Sequence, residues 1–209
     1  MSENDVRKAV GSSIVIESVP SVTGAESIAP ETQGRGGGAE TPQYVPGKAV
    51  IDPALQLQVE TFLYRQAAIL DAKDWQGFID LFTDDGVYWM PAHMGQTSYE
   101  SEPSIFAEDT LLMEIRMGRL LHPNAWSQAP MWGTSHLVGN VVIEQTDGDR
   151  IRVASRFQMM ELRRDAVRHF AGTYRHVLRG HGDDLRIEHQ RVDLMNGQAA
   201  YDYVIQAWV

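Results

Sequence analysis

Asp85, Tyr88, His93, His136 and Tyr174 are the residues of this chain whose types could assemble a proton-transfer site. An Asp or His would act as base, and a Tyr hydroxyl would steady a developing oxyanion. Such a set works when an apolar pocket raises a carboxyl pKa toward neutrality and strengthens each hydrogen bond. Three of the five lie in or beside one aromatic-rich stretch, Asp74 to Pro91, DWQGFIDLFTDDGVYWMP.

The same stretch also reads as plain core. Trp75, Phe78 and Phe82 have helical spacing, and aromatic side chains dominate core burial. Asp84 and Asp85 stand at a helix-to-strand turn, where acidic residues are favoured for turn hydrogen bonds and exposure to water. Tyr88 and Trp89 alternate on a strand, so only one of them is expected to face the interior. His136, between small polar residues and Leu137, is more simply a structural or interface histidine than a base.

Metal chemistry finds little support. The chain has no cysteine, which removes disulfides, thiolate nucleophiles, Cys-ligated zinc and Cys-ligated iron–sulfur centres. A mononuclear iron site needs two His and a carboxylate to converge. The seven His are His93, His122, His136, His169, His176, His181 and His189, with no His-Glu-x-x-His pattern among them. His169 and His176 share a predicted strand at an odd separation, so they should point to opposite faces.

The elements that must position these residues change character along the chain. Residues 1–50, rich in Gly, Ser, Thr, Pro and Glu, read as a flexible extension. Gly34, Gly36 and Ala39 match a loose dinucleotide pattern, but no strand precedes them and Pro42 and Pro46 block a following helix. A single domain is expected over 51–209. Asp52 is placed to cap a helix with Pro53 in its first turn, and Leu55, Val59, Phe62, Leu63, Ile69 and Leu70 form one stripe. Asp74 caps a second, short helix to about Phe82, a break follows at Thr83–Gly86, and Val87–Met90 reads as a strand. A third helix is expected over Asp109–Leu121, with Leu112, Ile115, Met117 and Leu120 as its apolar side. From Thr134 onward the runs alternate as strands, with Asp147-Gly148 suited to a hairpin turn and Gly180 and Gly182 to the next loop. Helices first and an antiparallel meander afterwards make an α+β fold, with the helices on one face of a curved, mostly antiparallel sheet.

A formal net charge of -10 without a long basic run argues against nucleic acid as a partner. The apolar piece Ile14–Val15–Ile16 is too short for a signal core or a membrane span, so a soluble, cytoplasmic protein with no membrane partner is expected.

The segment FLYRQAAILDAKDWQGFIDLFTDDGVYWMPA resembles the opening helix pair and first strand of the small (β) subunits of bacterial aromatic-ring-hydroxylating dioxygenases. TSHLVGNVVI is similar to a later strand of that family, with Gly139 where Ser or Thr is usual, and LRIEHQRVDLMNG is similar to its penultimate strand. The resemblance covers about 53–209 in order. It implies a cone-shaped fold of the nuclear-transport-factor-2-like or cystatin-like class. It also implies assembly with a larger α subunit and with other copies of this chain, commonly as an α3β3 hexamer. The α subunit would hold a Rieske [2Fe–2S] cluster and a mononuclear Fe(II), and would dihydroxylate an aromatic ring with O2 and electrons from NAD(P)H. The small subunit would carry no cofactor and no catalytic residue. The same fold hosts free-standing lyases and isomerases related to scytalone dehydratase and ketosteroid isomerase, which keeps the five-residue pocket as the alternative.

The last segment, YDYVIQAWV, has apolar residues on both predicted strand faces, as a strand covered by another surface would. Tyr201, Tyr203, Trp208, Trp89 and His136 are the interface candidates.

Overall fold

The structure, a computed structural model, describes residues 49–128, 132–197, 205, 208 and 209. The expected 1–50 extension therefore lies almost wholly outside the described residues, as do the Gly34–Ala39 pattern and Tyr201 and Tyr203.

Helix α1 spans Pro53–Ala72, opened by Asp52, whose carboxylate accepts from the N–H groups of Ala54 and Leu55 at 3.0 and 3.1 Å. Its stripe buries Val59, Phe62, Leu63 and Leu70, and admits one polar member, Gln66. Lys73 ends it with a left-handed backbone (φ 57°). Helix α2, Trp75–Ile79, is capped by Asp74, which accepts from Gly77 N–H at 2.9 Å.

Strand β1 runs from Phe82 to Pro91, so the expected break at Thr83–Gly86 is instead an irregularity inside a strand. Gly86 is needed there: a Cβ would lie 2.9 Å from the backbone oxygens of Ile187 and Thr83. Strand β2, Ser104–Asp109, leads into helix α3, Thr110–Leu120, with Asp109 as its cap. The meander follows: β3 (Gly133–Asp147), β4 (Arg150–Arg163), β5 (Ala166–Arg179) and β6 (Arg186–Leu194). Gly148 (φ +60°) turns β3 into β4.

The six strands stand in the order β2-β1-β6-β5-β4-β3. β1 and β6 pair in parallel, and every other pair is antiparallel. The helices cover one face of this sheet, α1 against β3 and α3 against β1 and β2. Between them lies the core, from Val59 and Leu63 through Phe78, Tyr88, Phe157 and Phe170. This is the α+β fold expected, with the helices on one face of a mostly antiparallel sheet.

Two further expectations fail. β2 is absent from the sequence reading, because SIFAED is short and its alternation is obscured by Glu108, buried at 7% exposure. The apolar side of α3 is also misplaced: Met113 is the residue it buries, Met117 and Leu120 are half-buried, and Leu112 and Ile115 are exposed at 46% and 44%.

Candidate functional site

The five candidate residues do not form a pocket. Asp85 is at the surface, 3.5 Å from the Arg179 guanidinium, and its hydrogen bond from Thr83 holds its carboxyl below the ordinary value. It stays ionised at neutral pH and is not poised as a base. His93 is half-exposed and bonds Glu102 at 3.1 Å. Tyr88 and Tyr174 are buried in the core, which raises the pKa of both hydroxyls. The Tyr88 hydroxyl accepts from Val209 N–H at 3.2 Å, and the Tyr174 ring stacks on Phe157 with centroids 4.1 Å apart.

His136 has a partner that sequence reasoning missed. Its ring Nδ1 lies 2.6 Å from Asp71 Oδ1, and its backbone N–H donates to Asp71 Oδ2 at 2.9 Å. Partial burial alone would raise the Asp71 pKa, but the His136 bonds outweigh it and hold the carboxyl below its ordinary value. The pair has the form of a catalytic dyad, yet the His136 side chain is closed off at 1% exposure and its Nε2 meets no hydrogen-bond partner. Its evident work is to clamp the last turn of α1 to β3. No local signal could have found it, because 65 residues separate the two.

Behind the helices the helix-covered face of the sheet carries a second polar group. Gln66 of α1 donates to Gln190 of β6 at 2.9 Å, Gln190 lies opposite His176, and the His176 ring is 5.7 Å from that of Tyr174. Ser155 lies opposite Tyr174. Burial, helped by His189 nearby, pushes the His176 pKa down to about 3, so the imidazole is neutral. His169 is exposed while His176 is buried, as their odd separation requires. The gap among Leu63, Gln66, Ala67, Val138 and Tyr174 leaves no room for a water-sized sphere. A surface cleft of about 230 Å³ beside Pro91–Met94 takes in His93 and Asp193, without the other four candidates.

The described interface candidates are covered by the chain itself. Trp89 is on the opposite face from Tyr88, as alternation requires, yet it too is buried. The 92–103 loop covers it: Trp89 Nε1 donates to Ser104 Oγ at 2.9 Å, Tyr99 packs on its edge, and Arg191 lies 4.3 Å over the ring. Gln96 pins that loop, accepting from Ala92 N–H and donating to the Ser98 and Glu102 carbonyls and the Ser104 hydroxyl. Trp208 is in the core against Trp75 and Phe78, and its Nε1 donates to Glu108 at 3.0 Å. Glu108 in turn pairs with Arg116.

Among the described residues no group of three His, Cys, Asp or Glu could hold a metal ion. A Rieske cluster requires two Cys and two His, and the chain contains no Cys, so its residues do not fit that group. No helix among the described residues is long and apolar enough to cross a membrane.

Comparison with known proteins gives a consistent picture. The chain is 29% identical over 147 residues to the small subunit of anthranilate 1,2-dioxygenase of Acinetobacter baylyi, covering 68% of this chain and 90% of that one. It is 30% identical over 152 residues to the β subunit of biphenyl 2,3-dioxygenase of Rhodococcus jostii, covering 67% and 80%. The crystal structure of the β subunit of benzoate 1,2-dioxygenase from Burkholderia mallei superposes with a TM-score of 0.60 at 28% identity, covering 76% of this chain and all of the other. A scytalone dehydratase-like protein of Novosphingobium aromaticivorans shares the fold at 12% identity and a TM-score of 0.53. The family model described as ring hydroxylating beta subunit matches residues 65–199, from the middle of α1 to just past β6, and the chain belongs to that family.

Proposed function

We propose that this chain is the non-catalytic small subunit of an oxygenase that dihydroxylates an aromatic compound. Its partner would be a larger subunit carrying a Rieske [2Fe–2S] cluster and a mononuclear non-haem iron, in a hexamer with three copies of each chain in the cytoplasm. The observation that carries the reading is the filled interior. Tyr174 stacks on Phe157, Gln66 and Gln190 bond each other, and the gap beside Gln66 and Tyr174 leaves no room for a water-sized sphere. Asp85 and His93, the two surface candidates, are tied to Arg179 and Glu102. What remains for such a chain is to shape and hold an assembly. The aromatic substrate class follows from the relatives, whose names cover anthranilate, biphenyl and benzoate oxygenation.

The free-standing isomerase reading has one specific observation in its favour, the Asp71–His136 pair. A base must reach its substrate's proton, and the enclosed His136 ring offers no approach. The test is purification of this chain alone and with its oxygenase large subunit. Alone it should bind no stoichiometric iron and oxidise no aromatic acid or hydrocarbon, whereas the pair, supplied with reductase and NADH, should do so. Ring oxidation or stoichiometric iron in the isolated chain would overturn the assignment.

A further inference from the structure

The surface cleft of about 230 Å³ lies outside everything the subunit reading uses. It opens between the turn that follows β1 and the end of β6, with His93 and Met94 on one wall and Asp193 and Met195 on the other. Methionine is ordinarily a buried residue, and Met90, Met113 and Met159 are buried here. Met94 and Met195 instead stand exposed at 62% and 70%, facing one another's walls across the same cleft. Both walls are fixed. Arg191 donates to the carbonyls of Met94 and Gln96 at 3.0 and 2.7 Å, and Gln96 N–H donates to the His93 carbonyl at 3.1 Å. Met195 N–H is bonded to the Ala171 carbonyl at 2.8 Å.

The His93 ring is held as well. Its Nε2 lies 3.1 Å from Glu102 Oε2, so in the neutral ring Nε2 carries the proton and Nδ1 keeps its lone pair, without a hydrogen-bond partner among the described residues. A carboxylate behind one ring nitrogen is the arrangement that orients a metal-binding imidazole. An imidazole nitrogen and two thioethers are neutral donors, and thioether sulfur selects soft Cu(I) over hard cations. The one carboxylate lining the cleft is already engaged: Asp193 accepts from Arg191 Nε at 2.9 and 3.0 Å and from its Nη2 at 2.7 Å, and Arg175 stands 3.8 Å away. A hard dication would find no free anionic ligand there. Two arginines face two carboxylates, Asp193 and Glu102, which leaves the neutral donors to a monovalent ion. We propose that this cleft is a soft-metal site in which His93 Nδ1 and the sulfurs of Met94 and Met195 bind one Cu(I), or its redox-inert counterpart Ag(I). The site involves neither iron nor a large subunit, so it stands or falls apart from the assembly reading.

The test titrates the full chain with Ag(I), and then, without oxygen, with Cu(I) against a chromophoric chelator. One equivalent of either ion should bind. In a chain carrying labelled methionine methyl groups, the NMR signals of Met94 and Met195 should move with the ion while those of buried Met90, Met113 and Met159 stay in place. Met94→Leu and Met195→Leu replace exposed side chains by others of similar size, so folding should survive, and circular dichroism checks this. Each should weaken Ag(I) binding by more than about tenfold, and Glu102→Ala, which frees the His93 ring, by about tenfold. Zinc at equal concentration should not displace Ag(I). Absence of stoichiometric binding, unchanged affinity in either methionine variant, methyl shifts confined to the exposed Met160 of β4, or displacement by zinc would overturn the proposal.

Discussion

Met159 and Met160 are neighbours on β4, yet the first is 3% exposed and the second 42%. Met159 lies in the core with Phe157 and Phe170, whereas Met160 faces outward with Leu162 and Leu137. The same contrast runs through β3, β4 and β5. The helix-covered face is occupied by a Phe–Tyr stack and a Gln–Gln hydrogen bond. On the bare face, where a monomer would place polar residues, the chain shows leucine, methionine and arginine.

Mutations should separate the two faces by size of effect. Phe157→Ala removes the partner of Tyr174 and should destabilise the chain by about 3–5 kcal/mol, read as a lowered midpoint in denaturant. The next largest effect is one of pH. His176 is held neutral, with a pKa of about 3 against an ordinary 6.5, so the unfolded chain takes up the proton first. Its contribution is therefore complete above pH 6.5 and is lost as pH falls toward 3, by up to about 1.4 kcal/mol per pH unit. His176→Leu should flatten the acid limb of the stability curve over that window. An unchanged limb would mean that His176 is already hydrated.

Asp71→Ala should cost about 1–3 kcal/mol, because it strands a buried imidazole and frees the end of α1 from β3. Faster amide exchange at His136 would report that release. At the small end, Met160→Ala on the bare face should shift the unfolding free energy of the isolated chain by no more than about 0.5 kcal/mol, and Asp85→Asn should leave its denaturant midpoint unchanged. An Asp85→Asn oxygenase assembled with its large subunit should turn over at the wild-type rate, and a large loss there would restore Asp85 as a functional residue.

Apart from β2, the order of the described elements could be read before the fold was seen. Asp52, Asp74 and Asp109 cap the helices they precede, because a short carboxylate reaches the free N–H groups two or three residues on. Gly148 marks its hairpin because it adopts a positive φ without strain. The β4–β5 turn at Arg164 and Asp165 has no such marker, since Arg164 takes a positive φ (55°) that its side chain does not advertise. Period-two alternation assigned His169 and His176 to opposite faces correctly. It could not say that Trp89, alternating away from the core, would be buried as well, because the cover comes from Tyr99, in a loop with no periodicity of its own, and from Ser104 at the start of β2.

By itself, then, the sequence determined the helices, the meander, the family resemblance and the inability to hold an iron–sulfur cluster, since each depends on neighbours within a few residues or on composition. Only the tertiary structure decided the Asp71–His136 clamp, the Gln66–Gln190 bond 124 residues apart, the burial of Trp208 against Glu108, and which face of the sheet was left bare. Propensity and periodicity act along the chain over a turn or two. Which surface covers which is set by the free energy of burying apolar area between distant segments, and a local pattern carries no record of the partner.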